Sequence, residues 1–202
     1  MNIKNKQFKT FDPNPSLKYA LQLLNEANIS KFSLIGKLAM WVHLEDESQH
    51  QYTKDVDFAI LLNDISKLEE VVSKKCKSFR YLQIGGIGIR EEGISIDFID
   101  RRLHGVQYLF SDAIANSSVK VTVDQYNIPV VSPEYLIAMK IVSGEPKDDN
   151  DLKMLLTLKN FSYEKTRAIV KKHLGPITAE RLDVFARDAG ILPKRGPYKY
   201  SG

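Results

Sequence analysis

The spacing of hydrophobic and polar residues predicts a first half of mixed strands and helices. Helical periodicity covers residues 14–28 and 65–79, and a helix is also expected at 37–44. Short apolar runs predict β-strands at four positions, namely 32–36, 56–62, 81–89 and 94–100. Two more short strands are expected within VKVTVDQYNIPVVSPE, residues 119–134.

The second half shows helical periodicity throughout. Helices are predicted at 134–142, 148–158, 163–173 and 178–189, separated by breakers such as SGEPK and KNFS. The pattern therefore predicts an α+β fold, in which a small mixed sheet flanked by helices, 1–131, is followed by a helical C-terminal region with a basic tail, 132–202.

Composition narrows the class of protein. A chain of 202 residues with 43% hydrophobic residues can bury one substantial core, and a single cysteine, Cys76, excludes an intramolecular disulfide framework. There is no apolar leader and no run of 18 apolar residues, so a soluble cytoplasmic protein without a membrane partner is expected. The net charge of +4 mildly favours a polyanionic partner. The tail adds basic residues beside aromatic ones, which either contact phosphates and bases or form a disordered terminus: Lys194, Arg195, Tyr198, Lys199 and Tyr200.

Three aspartates interrupt apolar strands. Strand side chains alternate, so Asp55 and Asp57 project from one face while Val56 turns to the core. Two like charges this close favour a cation between them. Asp97 is a third carboxylate in mid-strand, and it would complete a cage if its strand lies beside the first. Hard oxygen ligands in this number suit Mg²⁺ or Mn²⁺. Asp100 has the opposite parity and ranks below Asp97.

A glycine at a strand-to-helix turn lies upstream of these aspartates. In SLIGKLAMW, Gly36 offers bare backbone, and the first amides of the following helix are free to bind phosphate oxygens. Lys37 would add positive charge at the same point.

Together, LIGKLAMWVHL, YTKDVDFAI and ISIDFID resemble the nucleotidyltransferase superfamily of the polymerase-β type. The segment IPVVSPEYLIAMKIVSGEPKDDNDLKMLL is similar to the AbiEii-like abortive-infection toxin branch, and the resemblance covers residues 32–158. It departs at Lys37, where the family usually has Gly or Ser. A lysine there either substitutes charge for close backbone approach or blocks a triphosphate.

The resemblance implies residues 1–131 as the nucleotidyltransferase core and two-metal transfer to a hydroxyl acceptor. Asp55 and Asp57 would hold both ions, and Asp97 would complete the site of the ion that activates the acceptor. It also implies one catalytic lysine, Lys140, and six nucleotide-binding residues: Gly36, Lys37, Thr53, Lys54, Asp148 and Asp151. From the residues alone, Lys140 is equally well explained as a snorkelling lysine, and the last two aspartates as N-terminal helix residues.

Three functions remain open at this point. The first is a nucleotidyltransferase that uses a nucleoside triphosphate and an RNA acceptor such as tRNA, with a toxin role and an antitoxin protein as partner. The second modifies a small molecule or a protein. The third is a binding module that has the fold without turnover, although three intact carboxylates argue against it.

Overall fold

The computed structural model describes residues 12–50, 53–102, 105–117, 119–123, 126–144 and 146–193. The predicted basic tail, including Lys194, Arg195 and Lys199, lies outside the described residues. The chain divides into two compact units, Met1–Leu136 and Ile137–Gly202.

In the part of the chain just defined, seven strands of the first unit form one mixed sheet in the order β3-β4-β5-β2-β1-β7-β6. Strands β2 and β5 run parallel and lie at its centre, with β1 antiparallel to β2. The strands are β1 (Phe32–Ile35), β2 (Val56–Ile60), β3 (Phe79–Tyr81), β4 (Gly86–Glu91), β5 (Ile94–Ile99), β6 (Val119–Val123) and β7 (Tyr126–Val130).

The two faces of the central strands differ in chemistry. One face is apolar and fully buried, and it includes Val56, Phe58, Ile96 and Phe98. Helix α1 (Asn14–Glu26) contributes buried leucines, and helix α3 (Ile65–Lys75) contributes a buried isoleucine, a leucine and a valine. Helix α1 contacts β5 and α3 contacts β4, so they belong to the core that this face builds.

Helix α4 (Gln107–Ala115) and the start of helix α2 (Gly36–His43) lie beside part of the opposite face. Helix α4 contacts β1 and β2, and Ser117, just beyond it, shares a hydrogen bond of 2.6 Å with Ser33 on β1. Helix α2 begins directly at the end of β1. The remainder of this face carries the aspartates described below.

The second unit contains helices only, as far as its residues are described. Helix α5 (Pro133–Ser143) crosses the boundary between the units, and α6 (Pro146–Leu155), α7 (Tyr163–Leu174) and α8 (Pro176–Asp188) follow. Helices α7 and α8 form a hairpin in which Asp183 accepts hydrogen bonds from Tyr163 at 2.5 Å and from Arg167 at 2.8 and 3.1 Å. The α+β class with a helical C-terminal region is confirmed.

Two element predictions were wrong. The single strand predicted at 81–89 is two antiparallel strands, β3 and β4, because Gly85 and Gly86 have φ of +98° and +118° and form a turn between them. The helix predicted to reach residue 79 ends at Lys75, because Cys76 is extended and the chain enters β3 at Phe79. Helix α4 was not predicted, although Leu109 and Ala113 are buried at helical spacing.

No helix among the described residues combines the length and the apolar character needed to cross a membrane.

His43 fixes the end of α2 to the end of β7. Its Nε2 lies 2.7 Å from the carbonyl oxygen of Val131, and because a carbonyl only accepts, Nε2 carries the proton. Burial lowers the pKa of His43, and this outweighs the raising effects of the Val131 carbonyl and the Glu134 carboxylate.

We expect acidification from about pH 7.5 to about 5.5 to destabilise the wild type more than His43→Gln. The unfolded histidine titrates near pH 6.5, whereas folded His43 stays neutral to lower pH, so the unfolded state takes up the proton first. The stabilisation is therefore present above about pH 6.5 and is lost below it, by at most about 1.4 kcal/mol per pH unit. Glutamine donates to the same carbonyl without titrating. Urea unfolding at both pH values measures the difference, and equal losses would contradict it.

Candidate active site

Asp55, Asp57 and Asp97 come together on the open face of the sheet. Asp57 on β2 pairs directly with Asp97 on the parallel strand β5, and Asp55 precedes β2 with the same side-chain direction as Asp57. Each aspartate offers one carboxylate oxygen, and these three oxygens lie within 4.8 Å of one another. The predicted adjacency of the two strands is therefore present.

Arg90 on β4 contacts the same carboxylates. Its Nη2 donates to Asp97 Oδ2 at 2.8 Å and lies 3.8 Å from Asp55 Oδ2. Its Nη1 donates to the backbone carbonyls of Ile89 and Ile96, both at 2.9 Å. Arg90 was not predicted from the sequence. The one feature of the sequence that points to it is its spacing: Arg90 comes two residues after Gly88, so the two lie on the same face of a strand.

Two glycines keep the backbone close to the carboxylates. Gly36 has φ of +67°, and a Cβ there would lie 2.0 Å from Asp57 Oδ2. Gly88, on β4, pairs with Asp97, and a Cβ there would lie 2.8 Å from Asp97 Oδ1. Asp57 and Asp97 therefore occupy space that any other residue at positions 36 and 88 would fill.

The other residues predicted to bind nucleotide near the aspartates differ in their surroundings. Thr53 is buried, and its hydroxyl donates to Asp55 Oδ1 at 3.2 Å, which orients that carboxylate. Lys54 is exposed. Lys37 is half-buried in the first turn of α2, next to Gly36.

The donor set fits a divalent cation. Three carboxylates converge, and hard oxygen ligands are those that Mg²⁺ and Mn²⁺ prefer. Asp97 Oδ1 is buried and accepts no hydrogen bond from any described residue. A buried carboxylate oxygen without a donor is costly unless a cation or a substrate proton satisfies it.

Asp100 has a separate role. It is buried, its Oδ1 accepts from the backbone amide of Arg102 at 3.0 Å, and its Oδ2 lies 3.4 Å from Arg102 Nε. It supports the turn after β5 and is not among the three clustered carboxylates.

In the second unit, Lys140 lies between two buried carboxylates. Its Nζ is 2.7 Å from Asp148 Oδ1 and 2.7 Å from Asp151 Oδ2. Burial lowers the pKa of Lys140, but hydrogen bonds and charge attraction from both aspartates outweigh it and raise the pKa above the usual value. Lys140 is therefore a fixed cation and not a proton acceptor at neutral pH.

A mixed sheet with three clustered aspartates beside a glycine turn is the arrangement that the resemblance implies for the nucleotidyltransferase class. The family model described as "Nucleotidyl transferase of unknown function (DUF2204)" matches residues 14–185, so the chain belongs to this family. None of the curated proteins compared with the chain matches it significantly.

Solved structures resemble the same fold. An antigenic nucleotidyltransferase-like protein from Paracoccidioides brasiliensis is 16% identical, with a TM-score of 0.51, and the match covers 87% of this chain and 90% of that one. The antibiotic-resistance factor ANT(2'')-Ia is 11% identical, with a TM-score of 0.49 over 89% of this chain and 97% of that one. The similarity to the first structure supports the fold alone. The TM-score of the second structure is too low to support a conclusion.

We expect Gly36→Ala to destabilise the protein more than Gly93→Ala. Both glycines have positive φ, +67° and +71°, so both variants incur about 1–2 kcal/mol for left-handed backbone. Only at position 36 does the new methyl meet a carboxylate; nothing lies within 4 Å of it at position 93. That overlap adds about 1–3 kcal/mol. Urea unfolding measures both variants, and equal costs would contradict the close approach of Asp57.

We expect Lys140→Met to destabilise the protein by about 3–5 kcal/mol, because two buried carboxylates lose their shared cation. Lys153→Met is the matched control, since Lys153 is exposed on α6, and it should change stability by less than about 0.5 kcal/mol. Adding Asp148→Asn and Asp151→Asn to Lys140→Met should recover part of the loss. Similar costs for the two lysine variants in urea unfolding would count against a buried ionic cluster.

Proposed function

We propose that the protein is a metal-dependent nucleotidyltransferase that transfers a nucleoside monophosphate from a nucleoside triphosphate to a hydroxyl of an RNA acceptor. The observation that carries the proposal is the convergence of Asp55, Asp57 and Asp97 on one open face of the sheet. Membership of a nucleotidyl transferase family supports the same chemistry.

The triphosphate would bind on the Gly36 side of the aspartates. Gly36 has no side chain, and α2 begins at this residue, so its first amides offer donors to phosphate oxygens. Lys37 in the same turn adds a positive charge. Thr53 holds Asp55 through its hydroxyl, which would leave a fixed carboxylate beside the phosphates.

A divalent cation held by the three aspartates would neutralise phosphate charge and favour ionisation of the acceptor hydroxyl. Asp97 Oδ1 would accept the proton of that hydroxyl, since it is buried and has no donor among the described residues. The acceptor oxygen forms a bond to the α-phosphorus, the bond from that phosphorus to the bridging oxygen breaks, and pyrophosphate leaves.

The acceptor would lie on the other side of Asp97, over β4 and β3. The row of paired residues continues from Asp97 through Gly88 to Arg80, and Arg80 Nε lies 3.5 Å from the position of a Cβ on Gly88. Arg90 is on the same face. Two arginines beside a bare glycine suit an acceptor that carries phosphates, and RNA supplies both phosphates and ribose hydroxyls.

The remaining implications of the resemblance stay predictions. One of them is that Lys140 contacts a phosphate and that Asp148 and Asp151 position it. The hydrogen bond and ion pairs of Lys140 with these two aspartates support that positioning role. The AbiEii-like toxin role and the antitoxin partner stay predictions as well, as does the cytoplasmic location expected from the lack of a long apolar run.

The function is tested by incubating the protein with Mg²⁺, total tRNA and each α-labelled nucleoside triphosphate in turn. We expect transfer of label to RNA, and a reduction by at least about two orders of magnitude in Asp57→Asn and Asp97→Asn. Glu92→Gln is the matched control, because Glu92 is an exposed carboxylate in the turn between β4 and β5.

The outcomes separate the alternatives. Label on the protein or on a small molecule, with none on RNA, would contradict the RNA acceptor but retain the transferase. Transfer that persists in both aspartate variants, or that does not require Mg²⁺, would contradict the proposed site. Absence of transfer to any acceptor, with no triphosphate binding by calorimetry, would favour a binding module without turnover.

A further inference from the structure

Arg90 supplies a positive charge where the proposed function needs a metal ion. Three carboxylates with oxygens within 4.8 Å of one another repel strongly unless a cation lies among them. Arginine is effectively always charged in proteins. Its Nη2 is 2.8 Å from Asp97 Oδ2 and 3.8 Å from Asp55 Oδ2, so one guanidinium nitrogen serves two of the three aspartates.

The guanidinium is fixed in this position. Its other terminal nitrogen, Nη1, donates to the carbonyls of Ile89 and Ile96, each at 2.9 Å. These carbonyls belong to the paired strands β4 and β5, whose backbone is part of the sheet. The side chain is also only about one-third exposed. Arg90 is therefore held by both backbone and carboxylate, unlike a solvated surface arginine.

The contact with Asp97 has a consequence for metal binding. Asp97 Oδ2 already accepts a charge-assisted hydrogen bond, and Asp97 Oδ1 faces Gly88 without a partner among the described residues. A cation that joins Asp97 to Asp55 must share these carboxylates with Arg90 or displace it. Two positive charges that share the same carboxylates repel each other, so each weakens the binding of the other.

Resting on the proposed function, we propose that Arg90 is an internal counter-ion that competes with the divalent cation for Asp97 and Asp55. Without a bound metal ion it offsets the charge of two of the three carboxylates, Asp97 and Asp55. It thereby lowers the affinity of the site for a free divalent ion. On this basis the cation binds best when it arrives with a triphosphate, whose negative charges compensate the added positive charge.

The competition is tested with Mn²⁺ alone, without nucleotide. We expect Arg90→Gln to bind Mn²⁺ about tenfold more tightly than the wild type, which corresponds to about 1.4 kcal/mol. Free Mn²⁺ is measured by electron paramagnetic resonance, and calorimetry gives the same constant independently. Lys120→Gln is the matched control, because it removes the same charge from an exposed side chain on β6, at the edge of the sheet away from the aspartates, and its Mn²⁺ affinity should match that of the wild type.

Thermal unfolding provides a second readout. Without metal, Arg90→Gln should unfold at a lower temperature than the wild type, because Asp97 and Asp55 lose their counter-ion. Saturating Mn²⁺ should raise its melting temperature by more than it raises that of the wild type. Arg90→Lys, which keeps the charge but loses the fork, covers the case in which Arg90→Gln fails to fold, and it should also bind Mn²⁺ more tightly than the wild type.

Each other result has a distinct meaning. Weaker or unchanged Mn²⁺ binding in the Arg90 variants would overturn the competition and leave the proposed transferase intact. An equal gain in Lys120→Gln would also overturn it, since net charge alone would then explain the effect. If neither the wild type nor the variants bind Mn²⁺, the competition and the metal dependence of the proposed function both fail.

Discussion

Repulsion among three carboxylates is the constraint on which the arrangement of the first unit depends. Asp57 and Asp97 face each other across a parallel strand pair, and this pairing fixes their separation before any ligand binds. Gly36 and Gly88 leave the space that the carboxylates occupy. Arg90 supplies positive charge from the neighbouring strand. The apolar face behind them, with Phe58 and Phe98 fully buried, keeps the strands from separating in response.

Each unit offsets a cluster of aspartates with one basic side chain, but to a different extent. In the second unit, Lys140 contacts both of its aspartates at 2.7 Å, and all three side chains are at most 15% exposed. In the first unit, Arg90 approaches Asp97 closely and Asp55 only at 3.8 Å, while Asp55 remains 25% exposed. The first cluster is therefore more open to solvent, whereas the second is enclosed.

The sequence predicts those features that local periodicity determines. Asp55 and Asp57 share a face because strand side chains alternate, and the helices of the second unit follow from their spacing. That Asp97 lies beside these two aspartates could be predicted only on the condition that their strands pair, because the sequence of a strand does not specify its partner. Arg90 escaped prediction for the same reason: it reaches Asp97 across one strand pairing and Asp55 across two, and the strand predicted at 81–89 ends just before it. Helix α4 was missed because it is short and largely apolar, so its polar face is weakly marked.

Strands β3 and β4 lie at one edge of the sheet, and substitutions there are constrained differently from substitutions on the central strands. The aspartates of β2 and β5 lie on central strands, where a change in register would turn every side chain to the wrong face. The β3–β4 hairpin folds through local contacts around Gly85 and Gly86, and only one of its strands pairs with the rest. Residues such as Arg80 can therefore diverge among homologues without disturbing the central strands. Under the proposed function, a family built on this plan can change its acceptor through the edge strand β3, while Gly88 and Arg90 on β4 keep their places beside Asp97.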